Sequence, residues 1–367
     1  MGAADMTLEK QSIYQPKRNH SVDFMKSILV ILMMMAHVVQ FFSCGKIAGV
    51  FSTYVNLTTF SGFMFTFGFV CYTAYIEKSA DIILVNKLFR KMLKTIVAFY
   101  LSGIAYTVLV SHHFSLTGIV KIIALQKIPG YSEFLLSFAF IYPLIFVWVL
   151  IKQRIKHWHL AFMFVVSLVL TLIDYSKIHI PVIGVFLGTN SFACFPIIQY
   201  SSYFLAGIYL SSTHRIIDKN VLVISVIGTF YFLGFCFTNH HLPNRFPPTA
   251  CWIMGGYAFV YLYFIICNKI SEHLLRFKRL IEIGRHSLVF LVISNIVIFM
   301  MSNFKTYYLS YPRLIKLLFC SIVFFLCFLF SFLWLKVSRM ILHNRTKTQT
   351  DAVLIPFATN KSNQPHH

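Results

Sequence analysis

The stretch DFMKSILVILMMMAHVVQFF, residues 23 to 42, decides what kind of molecule this is. A hydrocarbon core of about 30 Å takes roughly 20 apolar residues to cross as a helix, and this stretch supplies them. It follows the basic flank of Lys17 and Arg18 but ends without an A-x-A cleavage site, so it reads as a retained first span and not as a signal peptide. Outward from it the chain stays apolar. Hydrophobic residues make up 58% and charged ones only 12%, with a mean hydropathy of +0.73, which is too little polar surface for a soluble chain of 367 residues. The fold class expected is an all-α integral membrane protein.

The same length rule divides the chain into ten expected spans: 24–44, 54–76, 92–111, 133–151, 158–174, 191–211, 219–238, 250–268, 286–304 and 314–335. Lys and Arg alternate with them. The N-terminal segment, the loops after every second span and the C-terminal tail hold 24 of the 32 basic residues, and the opposite loops hold 8. By the positive-inside rule both termini are cytoplasmic, which requires an even number of spans. The resulting organisation is a cytoplasmic segment 1–18, a transmembrane domain 19–340 and a polar, disordered cytoplasmic tail 341–367.

The net charge of +21 is thereby mostly a record of topology, with a second role in drawing anionic lipid or an anionic ligand to the cytoplasmic face; no nucleic acid is needed to explain it. The eight cysteines, Cys44, Cys71, Cys194, Cys236, Cys251, Cys267, Cys320 and Cys327, form no CxxC and no Cys/His cluster, so they read as small apolar residues in helices, and no metal site is expected. There is no internal repeat, P-loop or Rossmann glycine pattern. Any chemistry belongs to the membrane domain.

Ionisable residues at membrane depth are candidates for function, and the first span holds Asp23, Lys26 and His37. Eleven residues separate Lys26 from His37, which at about 100° per residue returns to within roughly 20° of the same face. Asp23 lies one turn before Lys26 and can pair with it. With a rise of about 1.5 Å per residue, His37 stands roughly 16 Å deeper than Lys26, where a neutral imidazole can accept a proton. From these features alone two other readings stay open: a helix-bridging histidine beside a snorkelling lysine, or a proton or ion path through a transporter.

Asp, a base three residues on and His eleven after that, all in the first span, resemble the opening of the acyltransferase-3 family, membrane enzymes that O-acylate sugars of bacterial surface polysaccharides. The likeness runs through most of the chain. At the entrance to the third span the family's R-x-x-R pair followed by Pro and an aromatic is met by NKLFRKMLKTIVAFY, with Lys91 and Lys94 at the paired positions, Val97 in place of the Pro and Phe99 as the aromatic. FMFTFGF from Phe63, YFLAGIYL from Tyr203 and RFPPTA from Arg245 are similar to further family segments. IGRHSLVFLVISN resembles one that ends in His, but Ser294 and Asn295 stand there here.

This resemblance implies transfer of an acyl group, acetyl first among the candidates, from acyl-CoA to a hydroxyl of a bacterial surface glycan or its lipid-linked precursor. It implies an inner-membrane location and no bound cofactor, acetyl-CoA being a substrate. The catalytic set is then His37 with Asp23 and Lys26. Lys91, Lys94, Arg90 and Lys87 are the expected partners of the donor's phosphates, lysine serving as a point-charge binder. Asn295, Ser294, Asn190 and Arg245 are expected along the acceptor path, with His112, His113, Tyr131, His240 and His241 at its outer mouth. His37 either deprotonates the acceptor hydroxyl or carries the acyl group itself.

Overall fold

The computed structural model describes residues 19–42, 46–76, 82–112, 115–151, 154–270, 273, 276–304 and 312–358. Lys10, Lys17, Arg18, Cys44, His113 and the segment 1–18 lie outside them. Among the described residues the chain is helical, without a strand.

The first helix, α1 (His20–Phe42), is the axis of the bundle. Around it stand α2 (Lys46–Cys71, continued by a π-turn, Tyr72–Ile76), α3 (Ile82–Leu109), the short α4 (Leu116–Ile123), α5 (Glu133–Ile151), α6 (His157–Val169) and α7 (Pro181–Leu187). They are followed by α8 (Ile197–Thr213), α9 (Lys219–Asn239), α10 (Ala250–Gly255) and α11 (Tyr257–Lys269). The last are α12 (Lys278–Arg285), α13 (Ser287–Ser302) and α14 (Arg313–Ala358). The helix α1 packs against α2, α11, α12, α13 and α14, and its side chains Met25, Leu29, Met34 and Phe42 are fully enclosed.

Among the described residues seven helices are long and apolar enough to cross a membrane, and α12 with α13 makes an eighth candidate bent by 83°. Each of the ten expected segments falls on helix. Those at 158–174 and 191–211 are met by helices of 13 and 17 residues, shorter than the segments expected there. The first is cut short where the backbone tightens into a 3₁₀ turn at Leu170–Leu172, and the second starts only after Pro196, whose extended neighbourhood cannot be helical. At the other end of the chain α14 runs on as helical backbone to Ala358, where composition alone predicts a disordered tail from 341. Extending an existing helix fixes one residue per hydrogen bond, whereas starting one is costly, so a polar segment can continue a span it would not nucleate.

Many outward side chains of α9 and α14, among them Phe230, Phe237, Leu317 and Phe325, are exposed and apolar, as lipid-facing surfaces are. Lipid is as apolar as leucine, so close approach of backbones does much of the holding between spans. A Cβ on Gly68 would sit 2.0 Å from the Phe204 carbonyl oxygen, and one on Gly207 would sit 2.2 Å from that of Phe65, which is why α2 and α8 can touch at all.

Candidate functional site

Asp23 is buried on α1, between two cations. Its Oδ1 lies 3.9 Å from Lys26 Nζ and its Oδ2 lies 3.6 Å from Arg285 Nε. Arg285 ends α12 at the 83° bend, and the corner is locked onto α1. Gly284 N donates to Ser27 Oγ at 3.0 Å, the Ser27 hydroxyl also meets the Leu280 carbonyl, and a Cβ on Gly284 would fall 1.7 Å from the Asp23 carbonyl oxygen. The i,i+3 pairing of Asp23 with Lys26 was legible in the sequence. Arg285 was read only as a loop cation, although it stands in the IGRHS segment that opens the ninth expected span.

Beside this corner opens a cavity of about 890 Å³. Among the described residues, Lys26, Lys87, Lys91, Arg285 and the Asp23 carboxylate line it; Tyr75, Thr66 and Thr95 add hydroxyls, and Phe63, Phe134 and Leu291 add apolar wall. The π-turn after α2 presents Tyr75 to both lysines. The Lys91 ammonium donates to the Tyr75 hydroxyl, and Lys91 and Lys87 stand 5.2 and 5.8 Å from the ring centroid. Arg90 and Lys94 do not line the cavity; they are exposed. Counting about 100° per residue from buried Leu88, Lys91 stands about 60° away, Lys87 about 100°, Lys94 about 120° and Arg90 about 160°, so helical angle alone does not separate Lys87 from Lys94. The expected basic cluster is thus divided, and Lys87 joins Lys91 where Lys94 was expected.

At the far end of the stripe, His37 Nδ1 lies 3.0 Å from the side-chain oxygen of Asn295, and the Asn295 amide nitrogen donates to Ser102 Oγ and to the Tyr131 carbonyl, both at 3.0 Å. These partners fix the proton. A carbonyl can only accept, so the amide nitrogen must face Tyr131; the amide oxygen therefore faces His37 and accepts from Nδ1–H. Nδ1 holds the hydrogen of the neutral ring, and Nε2 keeps its lone pair. The Tyr131 ring meets the imidazole edge-on, 5.0 Å between centroids, and Tyr131 itself has φ of 62°, a left-handed conformation costly for a bulky residue. Its strain is held by the contacts its ring and carbonyl make around His37.

The other residues expected on the acceptor path part company. Asn295 is the partner of His37. Ser294, its neighbour, donates to the Leu291 carbonyl of its own helix at 3.1 Å. Asn190, His112, His240 and His241 are exposed. Arg245 lies on the loop between α9 and α10, its guanidinium 4.4 Å from the Phe246 ring centroid and 5.3 Å from that of Phe195.

Two compartments result. The cation-lined cavity ends at Leu291, Phe134 and Leu135, one helical turn, about 6 Å by rise, short of Asn295. Comparison with models of known families, with curated proteins and with solved structures finds no match for this chain.

Proposed function

We propose that this chain is a ten-span, acyl-CoA-dependent O-acyltransferase of the bacterial inner membrane, with both termini cytoplasmic, that places acetyl on a sugar hydroxyl of a surface polysaccharide or its lipid-linked precursor. The observation that carries this reading is the juxtaposition on one helix of a cation-lined cavity and an imidazole with an unprotonated Nε2.

The donor's phosphates bind among Lys26, Lys87, Lys91 and Arg285, with Asp23 holding Lys26 and Arg285 in place; cation–phosphate hydrogen bonds are among the strongest non-covalent contacts. Its pantetheine arm extends along the apolar wall to bring the thioester to His37. The acceptor O–H gives its proton to Nε2 as its oxygen attacks the thioester carbonyl. The C–S bond then breaks, the imidazolium returns the proton to the leaving thiolate, and an ester and a thiol result. Asn295 keeps the ring in the tautomer this step needs and stabilises the imidazolium through Nδ1–H.

The test is acetyl-CoA binding and CoA release by detergent-purified protein, wild type against His37→Ala and a Lys87→Ala/Lys91→Ala pair. The lysine pair should be needed for binding and His37 for release only. Wild type that neither binds nor turns over acetyl-CoA would end the transferase reading and bring forward a proton or ion path along Asp23, Lys26 and His37.

A further inference from the structure

Three buried polar atoms outside the cavity, one on each of three side chains, have no hydrogen-bond partner among the described residues. Glu133, the first residue of α5, has its Oε2 shielded from solvent and unpartnered. So is Nε of Arg245, and so is the hydroxyl of Tyr200 on α8, a residue only 1% exposed. The Arg245 guanidinium stands against the Phe195 and Phe246 rings and acts electrostatically on Glu133, Tyr131, Tyr200 and His37. Burial pulls its pKa below the usual arginine value, against the influence of Tyr200, Glu133 and Tyr131. Tyr200 and Arg245 both meet the Phe195 ring, at 5.9 and 5.3 Å from its centroid, Glu133 follows Tyr131 by two residues, and the Tyr131 ring meets His37 at 5.0 Å, so the five groups neighbour one interior on the Tyr131 side of His37. None of the five lines the 890 Å³ cavity.

Buried polar atoms in native proteins are nearly always paired, because an unpaired one forfeits its water without replacement. Here a donor, an acceptor and a phenol that can be either are left unpaired beside the imidazole. Their signs define what would complete them. An anion would meet the Glu133 carboxylate, and a cation would meet Arg245. Adjacent uncharged hydroxyls fit both, one oxygen accepting from Nε and a neighbouring O–H donating to Oε2.

The geometry points to a second subsite, in which Glu133, Arg245 and Tyr200 hold the vicinal hydroxyls of an uncharged sugar against His37. It rests on the reading of His37 as the transfer centre and specifies the acceptor of that reaction.

Binding can be measured without turnover. Full-length protein in a zwitterionic, sugar-free detergent is titrated with neutral methyl hexosides and the matching methyl hexuronosides, followed by saturation-transfer NMR. Acetyl-CoA affinity is measured on the same samples by calorimetry, and folding by gel filtration and thermal melt. Wild type should bind the neutral glycoside in preference. Glu133→Gln and Arg245→Gln should weaken it about tenfold or more, and the gentler Tyr200→Phe about threefold, with acetyl-CoA affinity unmoved. Glu133→Gln should also narrow the preference over the hexuronoside, a change that loss of structure would not produce. The subsite is overturned if wild type prefers the hexuronoside, if it binds no glycoside while binding acetyl-CoA, or if the folded variants bind the neutral glycoside as wild type does. Glutamate- and arginine-dependent glycoside binding without any acetyl-CoA binding would sustain the subsite and overturn the transferase reading.

Discussion

At the Lys26 end of α1 the ionisable side chains are long and stand around an open cavity, where among the described residues four cations meet the Asp23 carboxylate. At the His37 end the ionisable side chain is short and enclosed, and every polar atom of its partner Asn295 is committed to a named neighbour. The first arrangement gathers positive charge around a cavity. The second leaves one lone pair, on Nε2, and removes the freedom to present it wrongly. Binding and chemistry thus make different demands of the same helix: gathered charge around a cavity at one end, fixed geometry at the other.

If that division holds, substitutions should separate the two functions. His37→Ala should lower acyl transfer by about a thousandfold, the scale of a lost general base, with donor affinity within about twofold. Single-turnover CoA release and calorimetry on one preparation check this, and a parallel fall in donor affinity would merge the two ends. Asn295→Ala frees the ring to take the other tautomer and strands Ser102 and the Tyr131 carbonyl, so transfer should fall about a hundredfold, again with donor binding retained. Lys87→Ala with Lys91→Ala should reverse the pattern: donor affinity about ten- to hundredfold weaker and less salt-dependent, with turnover at saturating donor kept.

Smaller effects sharpen the boundary of the basic end. Tyr75→Phe removes one hydrogen bond to Lys91 and leaves the ring beneath both lysines, so donor affinity should fall about fivefold. Arg90→Ala and Lys94→Ala, outside the cavity, should change it by less than about twofold. An effect of either as large as that of Lys91 would return the donor site to the pattern expected from sequence spacing.

Much of the site's inventory was legible because it depends on one helix. Asp23, Lys26 and His37 share a face by arithmetic on 3.6 residues per turn, and no tertiary contact was needed to find them. Along α3 the same arithmetic was insufficient. Lys87, Lys91 and Lys94 lie within one arc, and which of them line the cavity depends on how α3 is rotated against its neighbours. Arg285 escaped for a related reason, since topology explains a cation near a span end equally well. Glu133 and Tyr200 carried no pattern at all, and only their lack of partners in the packed structure marks them.

The sequence by itself determined that the chain is a multi-pass helical membrane protein and that its first helix carries an unusual ionisable stripe, because hydropathy and helical periodicity are local properties. Only the tertiary structure decided that Asn295 is the partner of His37, that Arg285 shares Asp23 with Lys26, and that Lys87 rather than Lys94 joins the cavity. Those pairings span as many as 262 positions of sequence between Asp23 and Arg285, and such separations are closed by helix packing, through contacts as close as that of Gly284 on the Asp23 carbonyl.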